Sequence, residues 1–229
     1  MHSKIRAVAF DLDNTLWEVG PVIARAEVLL VEWLEEHCPR IPQRVSLADM
    51  RAAREQLAAE EPHKAHDFTY LRIAALARHA RDCGYDEEIA HRAFEVFFAA
   101  RNAIEPFADV RPALERLRSR YRLASLTNGN ADLHRIGIAA WFDVSLSSRD
   151  VGVAKPHSRI FQELAARLQL SPHEILYVGD EPDLDVTGPK AIGMKTAWMN
   201  RSGGAWPLQL AAADLAVADC AELADALGV

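Results

Sequence analysis

Apolar and polar positions follow two rhythms along this chain, and the change of rhythm divides it into three stretches. Residues 5–10, IRAVAF, form a short apolar run broken only by Arg6. Bounded by the polar cluster Asp11-Leu12-Asp13-Asn14-Thr15, such a run predicts a buried strand. From about residue 18 to residue 104 apolar residues recur every three or four positions, with no convincing strand among them. Val22, Ile23, Ala26, Leu29, Leu30, Trp33 and Leu34 share one face of a first helix, and Pro21 sits where a first turn tolerates it. The same period continues over Ser46–Glu60 and over Asp67–Cys83, which Gly84 closes. A fourth helix, capped by Asp86, runs to about Asn102 with Phe94, Phe97 and Phe98 on its apolar side. Four helices in succession predict a bundle.

From Pro106 onward short apolar runs alternate with helical segments. Helices are expected at 110–120, 133–138, 158–169, 183–192 and from 221, and strands at 121–126, 143–146, 174–179, 195–198 and 215–217. This alternation predicts a doubly wound, Rossmann-like α/β core with a parallel sheet and right-handed crossovers. The first strand belongs with this later set. The expected division is therefore a core of residues 1–17 and 105–229 with a helical cap, 18–104, inserted after the first strand as a lid. Arg201-Ser202-Gly203-Gly204 predicts a mobile loop.

Composition narrows the function classes. The 229 residues are half apolar, enough to bury one full core and a second small one. A net charge of −7 and scattered arginines exclude the clustered basic surface that nucleic acid requires. Cys38, Cys83 and Cys220 lie far apart without CxxC spacing, which predicts reduced, partly buried thiols. No window reaches the roughly 18 apolar residues of a membrane span. The first apolar run turns acidic at Asp11 instead of ending in a cleavage site, so a cytoplasmic protein is expected. It is expected to act as a monomer or homodimer.

Candidate chemistry sits where the strands end. Asp11 and Asp13 leave the first strand together, with Leu12 turned toward the core between them. In open α/β sheets ligands bind beyond the carboxyl ends of strands. Two neighbouring carboxylates repel, and a bound cation or a shared proton relieves them. Three more polar clusters follow later strands: Thr127-Asn128-Gly129, Lys155, and Asp180 with Asp185. Each has an ordinary explanation as a turn, a loop or a helix start. Their joint occurrence, in order and at one sheet edge, points to a reaction centre.

DLDNTL, Thr127, Lys155 in GVAKPHSRIF, and GDEPDLDVTGPKAIGM resemble the four motifs of the haloacid dehalogenase-like hydrolase superfamily. The helical block resembles the cap of its capped, phosphoglycolate phosphatase-like branch. The resemblance implies a Mg²⁺-dependent phosphatase acting on a small phosphorylated metabolite through an aspartyl-phosphate. It implies Asp11 as nucleophile and Asp13 as general acid and then base. It implies Mg²⁺ held by the Asp11 carboxylate, the Asp13 backbone carbonyl and Asp180, with Asp185 in support. Thr127, the N–H of Asn128 and Lys155 would bind the phosphoryl oxygens. A phosphomutase or a non-catalytic binding module could use the same fold; a dehalogenase would have no use for Asp13 or the metal. Glu181-Pro182 departs from the commoner fourth motif, where a small residue follows the first aspartate. In the helical block Arg51, Arg54, His66, Tyr70 and Arg72 are candidate substrate contacts.

Overall fold

The computed structural model describes residues 5–229. Six strands form one parallel sheet in the order β3-β2-β1-β4-β5-β6. They are β1 (Ala7–Phe10), β2 (Arg122–Thr127), β3 (Val144–Ser147), β4 (Ile175–Gly179), β5 (Lys195–Met199) and β6 (Leu215–Val217). Every residue of β1 and β4 is buried, which is why these segments read as continuous apolar runs and not as alternation. Phe10 registers with Ser125 of β2 and Val178 of β4. The order runs outward in opposite directions from β1 and β4, so the topological switch of the sheet lies between them.

Ala7 and Ala9 of β1 and Tyr177 of β4 pack with Ile160, Phe161 and Leu164 of the helix Ser158–Leu168. The small alanines let that helix approach the sheet closely, and the Phe161 ring meets Tyr177 edge-on at 5.2 Å. Helix Val110–Arg118 packs on β2 and against the closing helix Cys220–Ala226.

The chain divides into two compact units. The sheet unit holds the residues up to Glu18 together with Glu105–Gly129 and Gly137–Val229. The helical unit holds Val19–Ile104 and Asn130–Ile136, a short segment that the sequence reading had given to the core. Its main helices are Val19–His37, Leu47–Glu60, Phe68–Asp82 and Ile89–Arg101, closed around Ala26, Leu30, Leu34, Phe94 and Phe97. Ser46 and Asp49 make a reciprocal capping box, and Asp67 caps the third helix through the Tyr70 N–H. The fourth helix begins at Ile89, later than expected; Asp86 instead accepts the Glu88 N–H at 3.0 Å in the turn before it. Among the described residues no helix is long and apolar enough to cross a membrane.

One further segment differs from expectation. The helix expected at 183–192 opens as a π-helix, Pro182–Thr187, before the short helix Gly188–Lys190. Residues 200–204 form a turn closed on both sides by Asn200, whose amide donates to Gly204 O and accepts the Gly204 N–H, each at 2.9 Å.

Candidate active site

The Asp11 N–H donates to Val178 O at 2.8 Å, which carries the β1–β4 pairing one residue past Phe10 and seats the Asp11 carboxylate at the switch point. The chain then folds into a tight turn. Thr15 and Leu16 both donate their N–H to Leu12 O, and Asn14 takes a left-handed conformation, φ 61°, that asparagine tolerates. Trp17 is wholly buried, and its indole N–H donates to Asp13 Oδ1 at 2.7 Å. Thr15, one of the helix caps that an ordinary strand end would supply, instead donates its hydroxyl to Asp180 Oδ1 at 3.2 Å.

Lys155 enters from the loop before Ser158–Leu168. Its ammonium donates to Asp11 Oδ1 at 2.6 Å and to Asp185 Oδ1 at 2.7 Å, with all three side chains buried. The side chain of Asn128 sets that loop. Its Oδ1 accepts the Lys155 N–H at 2.7 Å and its Nδ2 donates to Lys155 O at 3.1 Å. The sequence reading gave only the backbone N–H of Asn128 a role. Thr127 Oγ1 accepts the Gly129 N–H at 2.9 Å, an arrangement that leaves the hydroxyl proton able to donate elsewhere.

Asp180 follows β4 directly, and its carbonyl accepts the Trp198 indole N–H at 2.9 Å. The π-helix then brings Asp185 back beneath the site. Its Oδ2 accepts the Glu181 N–H at 3.0 Å, and Glu181 O accepts the Asp185 N–H at 2.8 Å. Pro182, the departure noted in the sequence, occupies the first position of this widened turn, where its missing N–H costs nothing. Gly179 makes room for the returning carboxyl: a Cβ there would stand 2.3 Å from Asp185 Cγ.

Electrostatics follow from this packing. Two carboxylates, Asp11 and Asp185, share one ammonium, and one oxygen from each of Asp11, Asp180 and Asp185 lies within 4.8 Å of the others. Burial opposes the charge on Lys155, but Asp11 and Asp185 outweigh it and hold the ammonium protonated well past its ordinary range. Burial lifts Asp11 well above the usual carboxylate range; Lys155 opposes the rise, and Asp185 and Asp180 add to it. Burial, then Asp185 and Glu181, push Asp180 up to about 6. Negative charge in excess of its counter-charge, presented on hard oxygen donors, is what a divalent cation such as Mg²⁺ would fit. Asp185 has both oxygens engaged, one by the Lys155 ammonium and the other by the Glu181 N–H.

Most of the candidate contacts in the helical unit are used within that unit. Glu27, 2% exposed, pairs with Arg51 and, at 3.7 Å, with Arg54. Tyr70 donates its hydroxyl to Glu61, and Arg72 lies 3.5 Å from the Phe97 ring centroid. Sequence reasoning placed Thr15 in the first polar cluster but missed its bond to Asp180, the Asn128 side chain, Trp198 and the bond from Trp17 to Asp13. Only the last carried a signal, since four residues separate donor and acceptor.

The chain is similar to known proteins over most of its length. A family model described as haloacid dehalogenase-like hydrolase matches residues 5–193. The chain is 30% identical over 205 residues to 5-amino-6-(5-phospho-D-ribitylamino)uracil phosphatase YigB of Escherichia coli K12, covering 88% of this chain and 86% of that protein. Among solved structures it is similar to a 2-haloacid dehalogenase from Pseudomonas syringae pv. Tomato DC3000, with a TM-score of 0.92, 34% identity and 97% and 98% of the two chains covered. It is also similar to a HAD phosphatase from Thermococcus onnurineus, with a TM-score of 0.66, 26% identity and 98% of each chain covered.

Proposed function

Because the chain belongs to the haloacid dehalogenase-like hydrolase family, we propose that it is a Mg²⁺-dependent phosphatase that hydrolyses a small phosphorylated metabolite in the cytoplasm. The observation that carries the reading is the buried Asp11–Lys155–Asp185 cluster beside Asp180 at the switch point, with Asp13 two residues beyond Asp11. The Asp11 carboxylate attacks phosphorus; an O–P bond forms to Asp11 as the ester P–O bond breaks. Asp13 gives its proton to the departing oxygen. Asp13 then takes a proton from the water that attacks the aspartyl-phosphate, which frees phosphate and restores the Asp11 carboxylate. Its bond from Trp17 orients the carboxyl for both transfers. Lys155 and the Thr127 hydroxyl bind phosphoryl oxygens, where charge spreads in the transition state. Asp11, the Asp13 carbonyl and Asp180 would hold Mg²⁺, which supplies charge neutralisation between carboxylate and phosphate and polarises phosphorus. In this reading the helical unit selects the substrate and excludes bulky ones.

A second reading, hydrolytic dehalogenation, is favoured by the likeness to the Pseudomonas structure. It would use Asp11 as nucleophile but leave the proton on Asp13 and the surplus carboxylate at Asp180 without work, since halide leaves unprotonated. One screen separates the two. Phosphate release from phosphorylated metabolites, dependent on added Mg²⁺ and lost in Asp11→Asn, supports the phosphatase; halide release from 2-haloacids without metal, and no phosphate release, refutes it.

A further inference from the structure

Arg201 lies just past β5, in the stretch whose composition predicted a mobile loop, yet its guanidinium is held from several sides. Nε donates to the carbonyl of Thr15 at 2.9 Å. Nη1 and Nη2 donate to the two oxygens of Asp109 at 3.1 and 2.8 Å, and the guanidinium carbon lies 4.1 Å from the Phe107 ring centroid. Asp109 is itself fixed by the Cys220 N–H at 2.8 Å. The next carbonyl of the same turn, Leu16 O, accepts the Phe107 N–H at 2.9 Å. Two successive carbonyls beyond Asp13 are thus tied to one platform built from residues 107–109, Arg201 and the start of the closing helix. The Thr15 hydroxyl, between them, reaches Asp180.

Resting on the phosphatase reading above, we propose that Arg201, braced by Asp109, is a positioning residue. By anchoring the Thr15 carbonyl it aims the Thr15 hydroxyl at Asp180 and keeps the turn carrying Asp13 in register with Asp11. Arginine suits this position because one planar group serves a carbonyl, both oxygens of a carboxylate and an aromatic face together; a lysine is a point charge and can serve fewer of them at once. The effect passes through Thr15 to the cation site, so it should be visible before any chemistry occurs.

The test measures Mg²⁺ affinity by calorimetry on the substrate-free protein, kcat and KM, and the thermal midpoint. The variants are Arg201→Ala, Arg201→Lys, Thr15→Val and the double variant Thr15→Val/Arg201→Ala. Arg116→Ala is the comparison, because it removes a guanidinium pairing with Asp225 in the same unit but away from the strand ends. Partners behind metal ligands typically contribute about 10–100-fold in affinity or activity. Arg201→Ala is expected to weaken Mg²⁺ binding and lower kcat by about 10-fold with KM little changed. Arg201→Lys should recover thermal stability more than kcat. Adding Arg201→Ala to Thr15→Val should cost little further, because both break one path. Additive effects, or wild-type Mg²⁺ affinity and kcat in an Arg201→Ala protein that is merely less stable, like Arg116→Ala, would overturn the proposal. A wild-type protein that neither binds Mg²⁺ nor releases phosphate would remove the underlying reading and this inference with it; one that does both while Arg201→Ala matches it removes the inference alone.

Discussion

Replacing Lys155 with methionine tests whether the buried charge cluster stores the stability and the chemistry assigned to it. The ammonium is 2.6 Å from Asp11 and 2.7 Å from Asp185, with side-chain exposures of 3%, 8% and 1%. Methionine keeps the length and the apolar stem but leaves two buried carboxylates without their counter-charge. Removing one partner of a buried pair costs about 3–5 kcal/mol. Lys155 lies in the sheet unit, so the readout is local: hydrogen-exchange protection of the β1 amides. Asp11 already sits high because of burial, with Lys155 lowering it; loss of Lys155 raises it further. A carboxyl whose folded pKa lies above its unfolded value binds more protons when folded, so its contribution is present at low pH and is lost as pH rises through the folded value. Lys155 itself, raised above 10.5, contributes fully across the neutral range. The variant should therefore lose less relative to wild type at pH 5 than at pH 8, and added Mg²⁺ should recover part of the loss. Phosphate release should fall about 100–1,000-fold, the scale for deleting one transition-state donor. A loss below about 1 kcal/mol in metal-free buffer, or a loss that does not change with pH, would refute the reasoning.

Gly179→Ala should act on the same cluster from below. Its Cβ would stand 2.3 Å from Asp185 Cγ, so Asp185 must leave Lys155, with about 1–3 kcal/mol of strain and lower turnover; Gly20→Ala, where a Cβ meets nothing within 4 Å, should leave kinetics unchanged when both are assayed together. Asp109 gives a pH prediction of opposite sign. Burial would raise its carboxyl, but Arg201 and the Cys220 N–H outweigh burial and hold it below 3.8. Its stabilisation is present above the unfolded pKa and is lost as pH falls through the lower folded one. Asp109→Asn should accordingly flatten the acid limb of a stability profile below about pH 4, and an unchanged limb would count against the Arg201 brace.

The sheet was legible because its central strands are buried on both faces, so Ala7–Phe10 and Ile175–Gly179 stand out as apolar runs ended by acids. Parallel topology then places all such ends at one edge, so Asp11, Lys155, Asp180 and Asp185 stood out as polar clusters there, and the resemblance to the four family motifs suggested a role for each. The groups that orient them were not legible. Asn128 and Arg201 act by side-chain bonds to backbone atoms 27 and 186 residues away, and no local pattern records such a partner. The Gly-rich composition after Arg201 carries no sign of the ion pair that Arg201 makes with Asp109. The π-helix escaped notice because Pro182 fits the start of an ordinary helix equally well; the wider turn shows only in the Gly188 N–H reaching back five residues to Asp183 O. Residues 130–136 read as core for want of any break in composition at Gly129.

Among the described residues β1 precedes the other five strands along the chain, yet it stands in the middle of the sheet. Its neighbours are β2 and β4, and Arg6 finds its partner Glu174 only 168 residues later. At about 5–20 residues per second a ribosome needs about 8–34 s to cover that distance. The β2 edge of β1 stays open until Arg122, the register partner of Ala7, has been made, and its β4 edge stays open for the whole interval, while the helical stretch from Val19 to Arg101, whose contacts are closer in sequence, can close on itself. Asp11, at the end of β1, thus reaches its final surroundings only after β4 has been made. Conditions that slow the chain's second half should aggregate the protein before they alter anything measurable in the finished enzyme.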